Sequence, residues 1–237
     1  MAMDDSKPRC RSVTSVLLVA IACLWPLGAA ADPVTITTIG PNGLSQVLVG
    51  NFGEPNAATV GQTFIAPAGG QLQSFTFYLF PVEGGPARFK GYVSAWDGEK
   101  PTGPLLYASG ERQVATPNVA TPVTFATGGL PMMPGLSYVA FLSASGLFDG
   151  VEDFTNLVLQ EDTYAGGGHF ALASGNDFSQ VFTRPWHGLS PEDLAFKAEV
   201  APVPEPSTMV LVGIGLAAGA AARRRRARGE QARASRE

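Results

Sequence analysis

The sequence predicts an all-β protein: an antiparallel β-sandwich of jelly-roll type, flanked by an N-terminal signal peptide and a short C-terminal transmembrane helix. Three observations carry this reading. Between Asp32 and Ala201, apolar and polar residues alternate with a period of two, the repeat that places every second side chain on one face of a sheet. Clusters of Gly, Pro, Asn and Asp interrupt the alternation at short intervals, as turns do. No long window of the body repeats its apolar positions at helical spacing, so sheets must supply the core.

Residues 1–31 read as a signal peptide. Lys7, Arg9 and Arg11 precede an apolar stretch from Val16 to Leu27, and Ala29-Ala30-Ala31 offers the small side chains a signal peptidase accepts. The apolar stretch is short of the ~20 residues a spanning helix needs, which favours cleavage after Ala31 over a retained anchor. Cys10 and Cys23 are the only two cysteines and both fall in this segment. The exported chain therefore has neither a disulfide nor a thiolate metal site.

The body, 32–201, contains the expected strands 34–39, 45–49, 59–66, 75–79, 89–96, 121–127, 136–144, 155–160, 169–174 and 194–200. Phe75, Phe77 and Leu79 alternate with Thr76 and Tyr78. Phe89, Gly91, Val93 and Ala95 alternate with Lys90, Tyr92, Ser94 and Trp96. Leu194, Phe196, Ala198 and Val200 alternate with Ala195, Lys197 and Glu199. Expected breaks include Gly40-Pro41-Asn42-Gly43, Gly84-Gly85-Pro86, Asp97-Gly98 and Gly128-Gly129.

Residues 202–207 form a Pro-rich spacer, 208–222 an apolar run and 223–237 a basic tail. The prolines on either side of Glu205 keep the chain extended and accessible. As a helix the apolar run rises only about 22 Å, short of a ~30 Å hydrocarbon core, and Ser207 and a snorkelling Arg223 extend it. Arg223, Arg224, Arg225 and Arg226 would stay in the cytoplasm, leaving the body outside. Val203-Pro204-Glu205-Pro206-Ser207, the short helix and the Arg cluster together resemble the PEP-CTERM sorting signal of Gram-negative bacteria. That resemblance implies transient inner-membrane anchoring, an exosortase as processing partner, and delivery to the cell surface or its exopolysaccharide. The 11 residues after Arg226 depart from the usual pattern. An ordinary single-pass anchor is the alternative. Gly215 and Gly219 have the spacing of a helix-packing pair, which short Ala/Gly-rich helices also produce by chance.

Gly61-Gln62-Thr63-Phe64, Phe75-Thr76-Phe77-Tyr78, Tyr92 to Gly98, Tyr138-Val139-Ala140-Phe141 and, more weakly, Asp193 to Phe196 resemble an uncharacterised β-sandwich module of exported bacterial proteins. The resemblance implies a fold and a setting, and no activity.

Charge and motifs narrow the chemistry. The net charge is −4, but 223–237 carries +5 and 1–31 carries +1, leaving −10 on residues 32–222. So acidic a body argues against nucleic acid as a partner. His169 and His187 are the two histidines; neither has metal-ligand spacing, and both read as surface or loop residues. There is no Gly-x-Ser-x-Gly elbow and no Walker-type loop. The expected reading is a non-catalytic protein without a cofactor. Asp149, Glu152 and Asp153 form an acidic loop, of a type that suits either solvation or a structural Ca²⁺. Trp96, Tyr164 and Trp186 are the candidate glycan contacts, since flat rings beside polar groups stack on sugars; otherwise they plug the sandwich. A secreted hydrolase using loop carboxylates would need two of them facing across a cleft.

Overall fold

The computed structural model describes residues 32–44, 47–55, 57–67, 70–81, 87–114, 118–161, 164–189 and 192–202 of the body, and 215–216, 218–220 and 223–224 of the tail. The signal peptide with Cys10 and Cys23, the motif residues Val203 to Ser207, and Arg225 and Arg226 lie outside the described residues.

The first sheet contains β1 (Val34–Thr37), β2 (Val47–Gly53), β4 (Gly70–Pro81), β8 (Thr121–Met132), β10 (Phe154–Glu161), β13 (Glu192–Leu194) and β14 (Phe196–Pro202). Its main path runs β1-β14-β4-β10-β13, with β8 also pairing β4 and β2 pairing β10. The second sheet contains β3 (Thr59–Ile65), β5 (Arg88–Trp96), β6 (Pro101–Ala108), β7 (Arg112–Gln113), β9 (Ser137–Ser143), β11 (His169–Leu172) and β12 (His187–Gly188). Its path is β12-β11-β3-β9-β5-β6, with β7 on β5. The strand pairs of both sheets are antiparallel, so the all-β expectation is met.

The alternation places the core as expected. Phe75, Phe77, Leu79, Phe89, Val93, Phe196, Ala198 and Val200 all lie in one buried cluster between the sheets. Phe125 stacks on Phe75 with ring centroids 4.8 Å apart. A Cβ at Gly91 would lie 2.6 Å from the Phe125 ring, so a side chain there would push the sheets apart.

Several boundaries depart from the sequence reading: the expected strand 194–200 divides at Ala195 between β13 and β14, β4 and β8 run longer than expected, and two further differences have a clear physical reason. β6 holds Pro101, Gly103 and Pro104 and is absent from the expected strands. It lies at the edge of its sheet, the place where a missing N–H costs no ladder bond. Gly128 and Gly129 do not end a strand. Both have positive φ and sit inside β8, where the pairing with β4 shifts register between Leu72 and Ser74; the glycines form a bulge, not a turn.

The second sheet is also covered on its outer face. Residues 173–189, with the one-turn helix α1 (Gln180–Thr183), cross it as a strap. The strap closes a second apolar cluster of Tyr92, Val139, Phe141, Leu172, Val181 and Trp186. Ser174 at its start bonds Thr59 at 3.0 Å and Ser145 at 2.7 Å. Near its end, Trp186 N–H donates to Glu99 O at 2.9 Å.

Candidate functional site

The exit of the tail is set by the first sheet. β14 lies between β1 and β4, with Val200 opposite both Val34 and Leu72, and Pro202 opposite Gly70. The chain that becomes the sorting motif thus leaves from a strand paired on both sides, and Pro202 cannot continue the ladder as a donor. Of the sequence-predicted tail residues, Arg223 and Arg224 are helical and exposed. Among the described residues no helix is long and apolar enough to cross a membrane.

The three candidate aromatic contacts do not converge. Trp96 and Trp186 meet edge to face at 5.5 Å, and Trp96 lies 4.7 Å from Phe170. Tyr164 belongs to the inner core, and its hydroxyl accepts a hydrogen bond from Ile65 N–H at 3.1 Å. Trp186 is not the exposed ring the sequence suggests: it is 5% exposed, and its Nε1–H donates to Val181 O at 3.0 Å. It is the strap's own residue packed inward on Phe141, at 5.4 Å edge to face, and that explains the burial. Phe170, Phe178 and Phe182 join this layer and were not singled out from sequence. Phe170 lies on β11, and Phe178 and Phe182 are spaced along the strap without a strand period.

The acidic loop is organised by its neighbours. Arg88 reaches Asp149 Oδ2 at 2.6 Å and Leu147 O at 2.8 Å. The Glu54 carboxylate accepts from Asp149 N–H at 2.9 Å and Gly150 N–H at 3.0 Å. Glu152 is exposed, and Asp153 accepts from Glu54 N–H through its backbone carbonyl at 2.8 Å. Among the described residues no three His, Cys, Asp or Glu side chains gather as a metal ligand set. At the β5–β6 turn, Asp97 accepts from Glu99 and Lys100 N–H at 2.9 Å each. Those bonds hold its carboxyl below the ordinary range.

An interior polar group went unread in the sequence. Gln62 on β3 donates to Asp193 Oδ1 at 2.7 Å and accepts from Leu194 N–H at 2.9 Å, tying the two sheets together. Asp193 Oδ2 also accepts from Tyr164 N–H at 3.1 Å. Gln62 and Asp193 are 131 residues apart, so no local pattern reveals the pair. His169, directly opposite Gln62 in the ladder, is 2% exposed rather than a surface residue. Neither of its ring nitrogens has a hydrogen-bond partner, and burial pushes its pKa down to about 4. His187, by contrast, is exposed on β12.

Fold and tail together define a β-sandwich body that carries a C-terminal sorting motif. Residues 202–226 match the family model of the PEP-CTERM protein-sorting motif. That motif implies an exported protein that is anchored in a membrane and then processed by an exosortase. No curated protein matches the chain. Among solved structures, the chain is similar to the cysteine protease and lectin-like domains of Cwp84, a surface layer associated protein of Clostridium difficile. There the identity is 12% and the TM-score 0.40, over 62% of this chain and 32% of that one. It is similar also to a cysteine-to-alanine variant of the clostridial cysteine protease Cwp84 after propeptide cleavage, at 13% identity and TM-score 0.45, over 73% of this chain and 41% of that one. The chain thus spans about a third to two fifths of the structures it matches.

Proposed function

We propose that this is a non-catalytic surface protein. It crosses the inner membrane of a Gram-negative cell by its signal peptide and is held there by residues 208–222, with Arg223 to Arg226 on the cytoplasmic side. An exosortase then releases it to the cell surface or the exopolysaccharide. The supporting observation is that the matched motif begins at residue 202, the last residue of β14, so the processing signal follows directly on the folded body. Tagged protein with and without residues 204–226 tests this. The intact chain should lose mass from its C-terminus and leave the membrane fraction. Equal mass and equal fractionation of the two forms would overturn the reading.

A second reading, glycan binding, draws on the outer layer of the second sheet. Trp96 and Phe170 stay partly exposed there, beside exposed Asp97, Glu99 and His187. Trp96→Ala should abolish binding to the cell's own polysaccharide in a titration while leaving the fold intact. Binding unchanged by that substitution would remove this reading.

A further inference from the structure

The end of the body from which the tail leaves is apolar. Pro202, Gly70 and Met132 are consecutive partners across β14, β4 and β8, so Met132 lies about 10 Å from the tail exit at a strand spacing of ~4.8 Å. The turn after Met132 carries Met133, 66% exposed, and Leu136, 48% exposed. Leu136 O accepts from Ala66 N–H at 3.0 Å, which brings Ile65, 42% exposed, beside it. Val34, 46% exposed, sits on β1 opposite Val200. No charged residue occurs in 64–74, 121–137 or 200–204, although Asp and Glu dominate the body. Asp32 on one side and the Asp97–Lys100 turn, beyond β9, on the other form a polar border.

We propose that this end of the sandwich is a lipid-facing surface, seated on the outer leaflet while the tail is still anchored. The inference rests on the tail being in the membrane. The apolar run begins at Thr208, only six positions after Pro202, and an extended chain of that length reaches at most about 20 Å. An anchored body therefore stays near the bilayer, and the end that carries the tail faces it. Exposed Met, Leu, Ile and Val side chains inside a polar border gain from entering the interface, whereas charged turns there would lose their hydration. The absence of Lys and Arg from 64–74, 121–137 and 200–204 makes the partner the apolar zone of the bilayer rather than anionic headgroups.

The test uses the full chain with Cys10→Ser and Cys23→Ser, so that one introduced thiol carries an environment-sensitive fluorophore. Three chains, Met133→Cys, Val119→Cys and Leu216→Cys, are reconstituted in neutral phosphatidylcholine vesicles containing nitroxide-labelled acyl chains. Val119 is a fair control: it is 53% exposed, next to Asn118, whose N–H bonds Pro81 O at the far end of β4. Quenching is expected at 133 and 216, with that at 133 at least about threefold above that at 119. Quenching at 216 without quenching at 133, or equal quenching at 133 and 119, overturns the inference and leaves the anchored tail standing. Quenching at none of the three sinks both. Quenching at 133 but not 216 sinks the anchor and, with it, the inference that the body is seated by an anchored tail. In a second chain, Leu136→Ser and Ile65→Ser added to Met133→Cys should cut quenching at 133 by about half; no change overturns the inference.

Discussion

Both faces of the second sheet bury apolar side chains, but for different reasons. Its inner face packs against the first sheet, and each side chain there follows from strand alternation: Phe64, Phe89, Val93, Ala140 and Leu142 point inward at every second position. Its outer face would be wet if the strap at 173–189 were absent. Tyr92, Val139 and Phe141 are buried there under Val181 and Trp186. Tyr92 stacks on Phe141 at 5.0 Å and packs at a tilt on Phe178 at 4.8 Å. The inner core is thus held by pairing across the whole molecule, while the outer layer depends on one segment with a single helical turn and a few hydrogen bonds. Losing the inner core unfolds the domain, whereas losing the outer layer should open one region of it.

Phe75→Ala should have the largest effect. The ring is fully buried and contacts Phe77, Phe125 and Tyr107, so the cavity should cost about 3–5 kcal/mol. Chemical denaturation would register it as a cooperative shift of the whole transition. A shift below about 1 kcal/mol would mean the two sheets do not share this core.

Acid should act next, through His169. Its folded pKa, about 4, lies below the ordinary value of 6.5. Between those pH values the unfolded chain takes up a proton that the folded chain refuses, so stability falls as pH falls from about 6.5 towards 4, and the loss sums to about 3 kcal/mol. His169→Leu gives up no hydrogen bond and should flatten this part of the pH–stability curve. A curve identical to that of the parent would show that the imidazole is solvated.

Trp186→Ala should cost about 2 kcal/mol and, unlike Phe75→Ala, should act locally. Hydrogen exchange should quicken in 180–188 and in β12 while β4 and β14 stay protected. Uniform loss of protection would erase the distinction between the two layers. Asp97→Ala should matter least. The turn is exposed and its bonds are worth about 0.5 kcal/mol. Its effect should be a change in Trp96 fluorescence with almost no change in midpoint; a large midpoint shift would make the turn part of the core.

Much of the fold was legible because alternation is a local property. The core positions of β4, β5 and β14 could be read from 75–79, 89–95 and 196–200, since a strand's two faces are fixed by covalent geometry alone. Burial on both faces of the second sheet was harder to see. Its only local trace is the continuous apolar run Tyr138 to Leu142 on β9, the pattern of a strand covered on both sides. β6 was missed because its prolines and glycine read as breaks, and the edge position that tolerates them is set by strand order.

The candidate site divides in the same way. The sorting motif at 202–226 was legible, because a Pro-rich stretch, an apolar run and an Arg block follow one another in sequence and need no partner brought from elsewhere. The glycan candidates were legible only as residue types: the fold set Trp96 against Trp186 and sent Tyr164 into the other layer.

By itself, then, the sequence determined the strand faces, the absence of any cysteine from the body and the address written after β14, since each depends on neighbouring residues. The tertiary structure decided which strands became edges, which histidine was dried out and which exposed apolar side chains share the end where β14 stops. Most of those outcomes depend on residues from about sixty to more than a hundred positions apart meeting in the sheets, and no local pattern encodes such meetings.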